Sequence, residues 1–476
     1  MLTLHVYAPP LPVDQPSGRG DLRVVIVGGG LTGVATAIHL MRRGGSALRV
    51  TIVEPSESLG RGVAYGTRDP DHLLNVPAAR MALDPADPGA FLRFARSRGV
   101  AASEASLLPR QLFGDYVSAA LVEAIAESSA RLRVVRARAS RIARATDAGG
   151  AGWEVQLSNG RTLSAEHLVL ATGHGPAAVP EVLRQTHDGR AVPLSFGATR
   201  PGDLDTVAAS DRLLVVGTGL TALDVLATLR RRRHTGPIEI VSLTGRWPGK
   251  HLGSVVWTGA PWRIDPEALP GEADLVAAWL EREVAAARAA SVPWQAVVDA
   301  LRPHIPGLWA RLPETERSRF LTVHRPAWER LRHRAPSAMI DLARQLEAEG
   351  WCRRRMGHIA CLFPSEDGWD VTLTLEEGSS VVRVDRVIVC TGPGSDPSAF
   401  GGPWPALRAD GLVRDDPLGL GVPTDARGQV LGVDGPSEGL WAAGGLLRTR
   451  HFEATAVPEI VQRARSLACE LVGAAD

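Results

Sequence analysis

Lysine is almost missing from this sequence. Of 53 basic residues, Lys250 is the single lysine and every other is arginine. A lysine Schiff base is therefore excluded everywhere except at residue 250. Cysteine is scarce too: Cys352, Cys361, Cys390 and Cys469 form no CxxC or CxxxxC pair and have no His-paired zinc spacing. No metal site is expected, and the four read as free thiols in a reducing compartment. Neither sign of charge dominates, with 53 basic against 52 acidic residues and a formal net charge of +1. A polyanion partner usually needs a basic excess or a basic stripe, so no nucleic-acid partner is expected. The longest apolar stretch, Val24 to Leu40, is broken by three consecutive glycines and holds Thr32, Thr36 and His39. That makes it a poor membrane span, and no membrane association is expected. The first twenty residues carry prolines and no apolar h-region, so the expectation is a cytoplasmic protein without a signal peptide.

What is present is an ordinary globular balance, 45% hydrophobic and 22% charged, over 476 residues. That length points to two or three units. Leu22 to Val27 reads as a buried parallel strand. It enters Gly28-Gly29-Gly30-Leu31-Thr32-Gly33 and a helical stretch through Arg43, followed by a strand from Leu48 to Val53 that ends in Glu54. In Gly28-x-Gly30-x-x-Gly33 the first glycine permits the turn, the second lets backbone approach a pyrophosphate, and the third allows close helix packing. The helix start supplies free N–H groups and partial positive charge. Glu54 follows about 20 residues after Gly33, where a carboxylate can accept both hydroxyls of a ribose. The bland alternative is a tight strand–helix turn with no ligand.

A comparable unit begins at Leu213. It runs through Gly217-Thr218-Gly219-Leu220-Thr221-Ala222, a helix to about Arg232, and a strand from Ile238 to Leu243. Alanine in the third glycine position is permitted. The strand ends in Ser242-Leu243-Thr244-Gly245-Arg246 with no carboxylate, a pattern that suits the 2′-phosphate of NADPH better than NADH. A degenerate module kept for packing is the alternative. The echo continues: Gly152-Trp153-Glu154-Val155 leads to Ala171-Thr172-Gly173, and Gly368-Trp369-Asp370-Val371 leads to Cys390-Thr391-Gly392. Each is preceded by a helix and a strand, Leu132 to Arg136 in the first copy and Cys352 to Arg355 in the second.

The expected fold is therefore α/β, with two Rossmann-like dinucleotide-binding domains and a helical insertion. A tail covers 1–22, the first domain combines 23–190 with 385–476, and the second covers 205–384 with its insertion at about 265–345. Helices are expected over Leu275 to Ala290, Pro293 to Leu301 and Arg317 to Arg332, with Trp279, Trp294, Trp309 and Trp328 serving as core. Near the C-terminus, a short strand ends in Gly444-Gly445, and Glu453 to Glu459 opens a final helix whose start could face a reduced flavin.

Several stretches resemble the bacterial FAD/NAD(P)-binding flavoprotein family that includes FAD-dependent urate hydroxylase and aspartate N-monooxygenase. They are Gly60-Arg61-Gly62-Val63-Ala64-Tyr65-Gly66, His72 to Met81, Arg110 to Tyr116, Gly217 to Thr221 with Asp224, Arg332-His333-Arg334, Cys390-Thr391-Gly392-Pro393 and Glu453 to Glu459. The resemblance implies FAD in the first module. Its contacts would be Gly28, Gly30, Leu31, Thr32, Gly33, Glu54, Arg61, Gly62, Asn75, Val135, Thr172, Gly173, Gly444, Gly445, Thr455 and Ala456. The Asn75-Val76-Pro77 loop would lie beside the isoalloxazine. His174 could approach the flavin or cap its turn. NAD(P)H would take the second module through Gly217 to Ala222, Thr244 and Arg246, although this turn is less basic than the family's arginine-rich one. Arg325, Arg332 and Arg334 could clamp an anionic substrate or form a solvated face.

The function so implied is an FAD-dependent, NAD(P)H-driven monooxygenase. It would use O2 and a C4a-peroxyflavin to hydroxylate a small polar nitrogen-containing substrate, a urate-like heterocycle or an amino acid. No catalytic dyad is required of the protein. A flavin oxidoreductase without oxygen insertion and a non-enzymatic FAD-binding protein stay open. A disulfide reductase is disfavoured by the missing CxxxxC. Ser195-Phe196-Gly197 lacks the His and Trp of a Baeyer–Villiger fingerprint, and Lys250 is misplaced for a lysine–water–flavin centre. The oligomeric state is not legible.

Overall fold

A computed structural model describes residues 21–145, 152–197, 202–252, 262–392, 394 and 400–473. The expected tail, apart from its last two residues, and Pro393 lie outside the described residues. The chain starts as its apolar pattern dictates. Strand β1 (Leu22–Val27) feeds the glycine turn and the helix Leu31–Arg43, and β2 (Leu48–Val53) returns parallel to β1. After the helix Arg110–Glu127 comes β3 (Arg131–Val135), parallel to β2. An antiparallel three-stranded sheet follows, β4 (Ala139–Arg144), β5 (Trp153–Leu157) and β6 (Thr162–Ala165), before β7 (His167–Leu170) rejoins β1 in parallel.

The second half repeats the plan. It contains β8 (Leu194–Phe196), β9 (Leu213–Val216), the helix Leu220–Arg231, β10 (Ile238–Ser242), β11 (Cys352–Ser365), β12 (Gly368–Leu375), β13 (Gly378–Val384) and β14 (Arg386–Val389). A final hairpin, β15 (Gln429–Gly432) and β16 (Gly435–Ala442), precedes the helix Val457–Val472. The first sheet has the order β15-β16-β7-β1-β2-β3 and the second β13-β12-β11-β10-β9-β14-β8. In each, the order reverses beside the strand that carries the glycine turn, between β1 and β7 and between β9 and β14. Open α/β sheets bind ligands at such points, at the carboxyl ends of the strands.

Strand pairing moves the expected boundary. Residues 386–389 were expected to open the second part of the first domain, yet β14 is parallel to β9 and to β8 in the second sheet. The reason is structural: the Cys390 carbonyl must stand against the Gly217 turn, so its strand has to lie beside β9. The chain returns to the first sheet only after Gly392. Its two crossings run side by side: Gly175 N donates to Gly394 O at 3.1 Å, Gly394 N to Pro176 O at 2.8 Å, and Ala178 N to Gly392 O at 3.2 Å.

The insertion is helical, with helices Ala273–Ala289, Trp294–Leu301, Ile305–Arg311, Glu314–Arg319 and Arg325–Arg332, and a π turn at Phe320–His324. It docks on the C-terminal turn of the first module. Trp309 stacks on Phe452 with centroids 4.6 Å apart, and its Nε1 donates to Thr449 O at 3.0 Å. Arg302 pairs with Glu459 at 2.8 Å, and Trp328 Nε1 donates to Glu453 at 2.9 Å. Trp309 and Trp328 are buried in that cluster, with Trp279 and Trp294 packed at its edge.

Where the modules face each other, the apolar cores give way to a buried polar cluster. His72 lies 2.8 Å from Thr67 Oγ1 and 2.9 Å from Thr228 Oγ1, and Thr228 donates to Asp69 at 2.6 Å. Arg110 pairs with the buried Asp224 at 2.9 Å. Burial pushes the Asp224 carboxyl upward, against the pull of Arg110. No described helix is long and apolar enough to cross a membrane.

Candidate functional site

The first glycine turn is built by close approach. Gly28 has φ 109°, and a Cβ there would collide with the Ala171 carbonyl oxygen. A Cβ on Gly33 would strike Gly28 O, so the helix can sit tightly on the turn. Gly30 caps the helix in an extended conformation with no side-chain cap, and its carbonyl takes Val34 N at 3.0 Å. The earlier N–H groups of that turn are left for an anion. A second loop closes over it: Gly60 N donates to Gly29 O at 2.8 Å, and the pro-Cβ side of Gly62 faces Gly30 Cα at 3.4 Å. Arg61 is pinned by Asp115.

Glu54 does more than its spacing suggests. Its two carboxylate oxygens accept Gly29 N and Ser56 N, each at 2.8 Å, while its own N–H donates to Val135 O at 3.1 Å. Val135 thus contributes backbone, its side chain being buried. At the end of β7, Thr172 Oγ1 is buried without a hydrogen-bond partner, and Gly173 has φ 72° with open space beside it. His174 is exposed, with its ring lying against Gly445. The surrounding protein and the Arg448 charge hold its pKa down to about 4, so the ring is neutral. Gly444 abuts Thr32. Thr455 and Ala456 precede the last helix, which Ala456 caps without a side-chain bond. Segments far apart in sequence therefore converge on one cradle: 28–33, 54, 60–62, 172–174 and 444–445.

The Asn75 and Pro77 loop is braced from both modules. Arg110 Nε donates to Leu73 O at 3.0 Å, and His251 Nε2 lies 2.7 Å from Asn75 O. Burial, with Arg334 nearby, lowers the His251 pKa to about 4, so a neutral imidazole donates Nε2–H to that carbonyl. The Asn75 amide has no hydrogen bond to a described residue.

The second turn copies the first. Gly217 has φ 115° against the Cys390 carbonyl oxygen, and Gly219 is an extended, uncapped helix start with no atom within 4 Å of a built Cβ. Leu220 and Thr221 open the helix, and Ala222 is fully buried. Thr218 Oγ1 meets Ser242 Oγ at 2.9 Å, and Gly245 N donates to that same hydroxyl at 3.0 Å. Thr244 is half-buried, while Arg246 is exposed and forms no hydrogen bond or ion pair with a described residue. Arg354 props the turn through Gly245 O and Glu347.

The three expected substrate arginines are all engaged. Arg325 donates to Glu329 at 2.7 Å, Arg332 lies 2.8 Å from Glu453, and Arg334 pairs with Asp299. Carboxylates from the insertion and the C-terminal turn claim them, neither a solvated face nor a free clamp. Arg448 escaped the sequence reading, and neither His251 nor Asp224 was given a role in it. Only Asp224 had a signal, as part of the motif after Gly217. No group of three metal-capable side chains exists among the described residues.

The turn-and-cradle geometry defines a class, the two-module dinucleotide-binding fold, and comparison adds detail. Residues 25–175 match a protein family described as FAD-NAD(P)-binding. No curated protein matches the sequence. Among solved structures, the chain is similar to the ornithine N-hydroxylase of Kutzneria sp. 744, with reduced FAD, NADP+ and L-ornithine. Identity is 17%, coverage is 95% of this chain and 99% of that one, and the TM-score is 0.64. It is similar to the FAD-bound cadaverine monooxygenase of Erwinia amylovora at 14% identity, 94% coverage of each chain and TM-score 0.66. The ornithine hydroxylase of Pseudomonas aeruginosa, in its reduced form, gives 16%, 95% and 99%, and 0.63. These likenesses show the fold over 94–95% of the chain.

Proposed function

We propose that the chain is an FAD-dependent, NAD(P)H-driven monooxygenase that hydroxylates a small polar nitrogen-containing substrate, a urate-like heterocycle or an amino acid. The observation that carries this reading is the pair of uncapped helix starts, behind Gly30 and behind Gly219, in two sheets of one plan. The first suits FAD: the Gly30–Gly62 cradle leaves room for a pyrophosphate, and the orphaned Thr172 hydroxyl is a buried polar atom that a bound cofactor would satisfy. The second suits NAD(P)H, with Thr244 and the unengaged Arg246 at the strand end. The overall shape shared with N-hydroxylating flavoenzymes supports the reaction type.

When bound, FAD would supply hydride acceptance and dioxygen activation. This chain's residues would do the rest. Gly28 to Gly33 and Gly60 to Gly62 would hold the phosphates, and Glu54 would fix the ribose end. Neutral His174, with Gly173 and Gly445, would line the recess beside the ring system. Asn75, held by His251, would offer its amide there, and the helical insertion would cover that end against water. Competing flavin chemistries find no support among these side chains. Lys250 is paired with Asp341, and burial raises the Cys352 thiol to about 12. The test is NAD(P)H oxidation by the FAD-loaded protein across urate-like heterocycles and amino acids, scoring hydroxylated product against hydrogen peroxide. Reduction of the flavin with peroxide as the sole oxygen product for every compound would favour an oxidoreductase instead. No reduction by either nucleotide would leave a non-enzymatic FAD-binding protein.

A further inference from the structure

An arginine cannot shed its charge when it is buried. It therefore needs a negative neighbour, or the fold bears the cost of an uncompensated ion. Three arginines among the described residues are more than nine-tenths buried: Arg332, Arg334 and Arg448. Glu453 answers the first and Asp299 the second. Arg448, 8% exposed, has no hydrogen bond or ion pair to a described residue. Its guanidinium rests 5.6 Å from the centre of the Phe452 ring.

Its surroundings explain why no carboxylate of the described residues serves it. Arg325, Glu329 and Glu453 all act on its charge. Glu329 is engaged by Arg325 at 2.7 Å. Glu453 divides its oxygens between Trp328 Nε1 at 2.9 Å and Arg332 at 2.8 Å. The neighbouring Arg302 and Glu459 cancel each other. Three guanidiniums, Arg325, Arg332 and Arg448, thus face two carboxylates, and the pKa values of the nearby His174 and His333 are lowered rather than raised. Among the described residues one positive charge is left over, and it belongs to Arg448.

The location matters as much as the charge. Arg448 lies on the turn Gly444–Thr449, whose two glycines abut Thr32 and His174. Phe452, the ring beside it, is also the ring on which the insertion docks through Trp309. The charge therefore stands between the flavin recess and the helices that would cover a substrate. A dinucleotide pyrophosphate has its own donors at the Gly30 helix start and does not require it.

We propose that Arg448 is the receptor for a carboxylate of the substrate, so that the substrate class is small carboxylic acids, amino acids among them, rather than bare amines or neutral heterocycles. This deepens the monooxygenase reading and rests on its placement of the substrate. A carboxylate would give Arg448 the two parallel hydrogen bonds its planar fork is shaped for.

The experiment uses FAD-loaded protein and three probe pairs that differ only in the carboxylate: L-lysine and cadaverine, L-ornithine and putrescine, L-phenylalanine and phenethylamine. Binding is followed by tryptophan fluorescence, without NAD(P)H. In at least one pair the acid should bind about ten- to a hundredfold tighter than the amine. Arg448→Met should erase that preference, leave FAD content and amine binding unchanged, and raise the Tm of ligand-free protein by removing the uncompensated charge. Arg448→Lys, which keeps a charge but no fork, should retain part of the preference and guards against misfolding of the Met variant. No preference in any pair would overturn the proposal. So would an Arg448→Met protein that loses FAD while keeping the preference, since Arg448 would then serve the cofactor. Because no turnover is read, a chain with Arg448-dependent acid binding but no oxygen insertion would refute the monooxygenase and leave this receptor standing.

Discussion

Glu54 holds Gly29. One carboxylate oxygen accepts the Gly29 N–H and the other the Ser56 N–H, both at 2.8 Å, so the acid braces the turn it was expected only to complement. Glu54→Ala should weaken FAD retention by about 1–3 kcal/mol. Glu54→Gln should also weaken it, because one amide end would present N–H to a backbone N–H. The brace adds a second readout, since both variants should melt below wild type even without FAD. Full flavin occupancy after gel filtration at low concentration would remove Glu54 from the site, and unchanged apo-protein melting would remove the brace.

Gly219→Asp should have opposite effects on stability and on nucleotide use. Position 219 has open space and an ordinary extended backbone, so the side chain fits. Aspartate caps a helix somewhat better than glycine, so the fold should gain about a few tenths of a kcal/mol. The same carboxylate would stand where the NAD(P)H pyrophosphate belongs. We expect normal FAD content, a slightly higher Tm and nearly abolished flavin reduction. Loss of FAD with reduction intact would mean the two modules are reversed.

Arg246→Ala tests nucleotide choice. The exposed, unengaged guanidinium at the end of β10 should cost about ten- to a hundredfold in NADPH efficiency when removed, since charge-assisted bonds to phosphate contribute roughly 1.5–3 kcal/mol. NADH, lacking the 2′-phosphate, should hardly respond. Flavin reduction by each nucleotide, wild type against variant, decides the matter. Equal losses, or a wild type preferring NADH, would refute NADPH.

His39 predicts an acid limb. It is 1% exposed, and burial with Arg43 nearby lowers its pKa from 6.5 to about 4. Between those values the unfolded chain binds a proton that the folded chain does not. Stability is therefore complete above about pH 6.5 and declines as the pH drops towards 4. The whole shift corresponds to about 3 kcal/mol. His251 and His451, also lowered to about 4, steepen the same limb. His39→Leu should flatten it, read as urea midpoints from pH 7 to pH 4.5, and an unchanged slope would count against a neutral His39.

Local signals in the sequence located what is locally determined. β1 and β2 begin and end at the expected residues, and the first long helix ends at Arg43 as expected but already starts at Leu31, inside the glycine motif. β10 stops at Ser242 rather than Leu243, whose side chain is exposed where the turn begins. The helix Ile305–Arg311, short and flanked by prolines, was not anticipated. β11 was expected over Cys352 to Arg355 but runs to Ser365, because β12 pairs along its glycine- and proline-bearing second half. The partners of Arg332 and Arg334, and the solitude of Arg448, depend on contacts between residues far apart in sequence, for which a single sequence carries no periodicity.

The two chain crossings between the modules are hydrogen-bonded to one another through Gly175, Pro176, Ala178, Gly392 and Gly394. One thread would act as a swivel. Two threads tied along their length act as a strap: they resist torsion and sideways slip, and they leave one easy direction, bending. That line of bending runs directly beyond Thr172-Gly173 and Thr391-Gly392, the ends of β7 and β14. Any bending there would have to part Asp69 from Thr228 and Arg231, and Arg110 from Asp224, which tie the same two modules beside the nucleotide cradles.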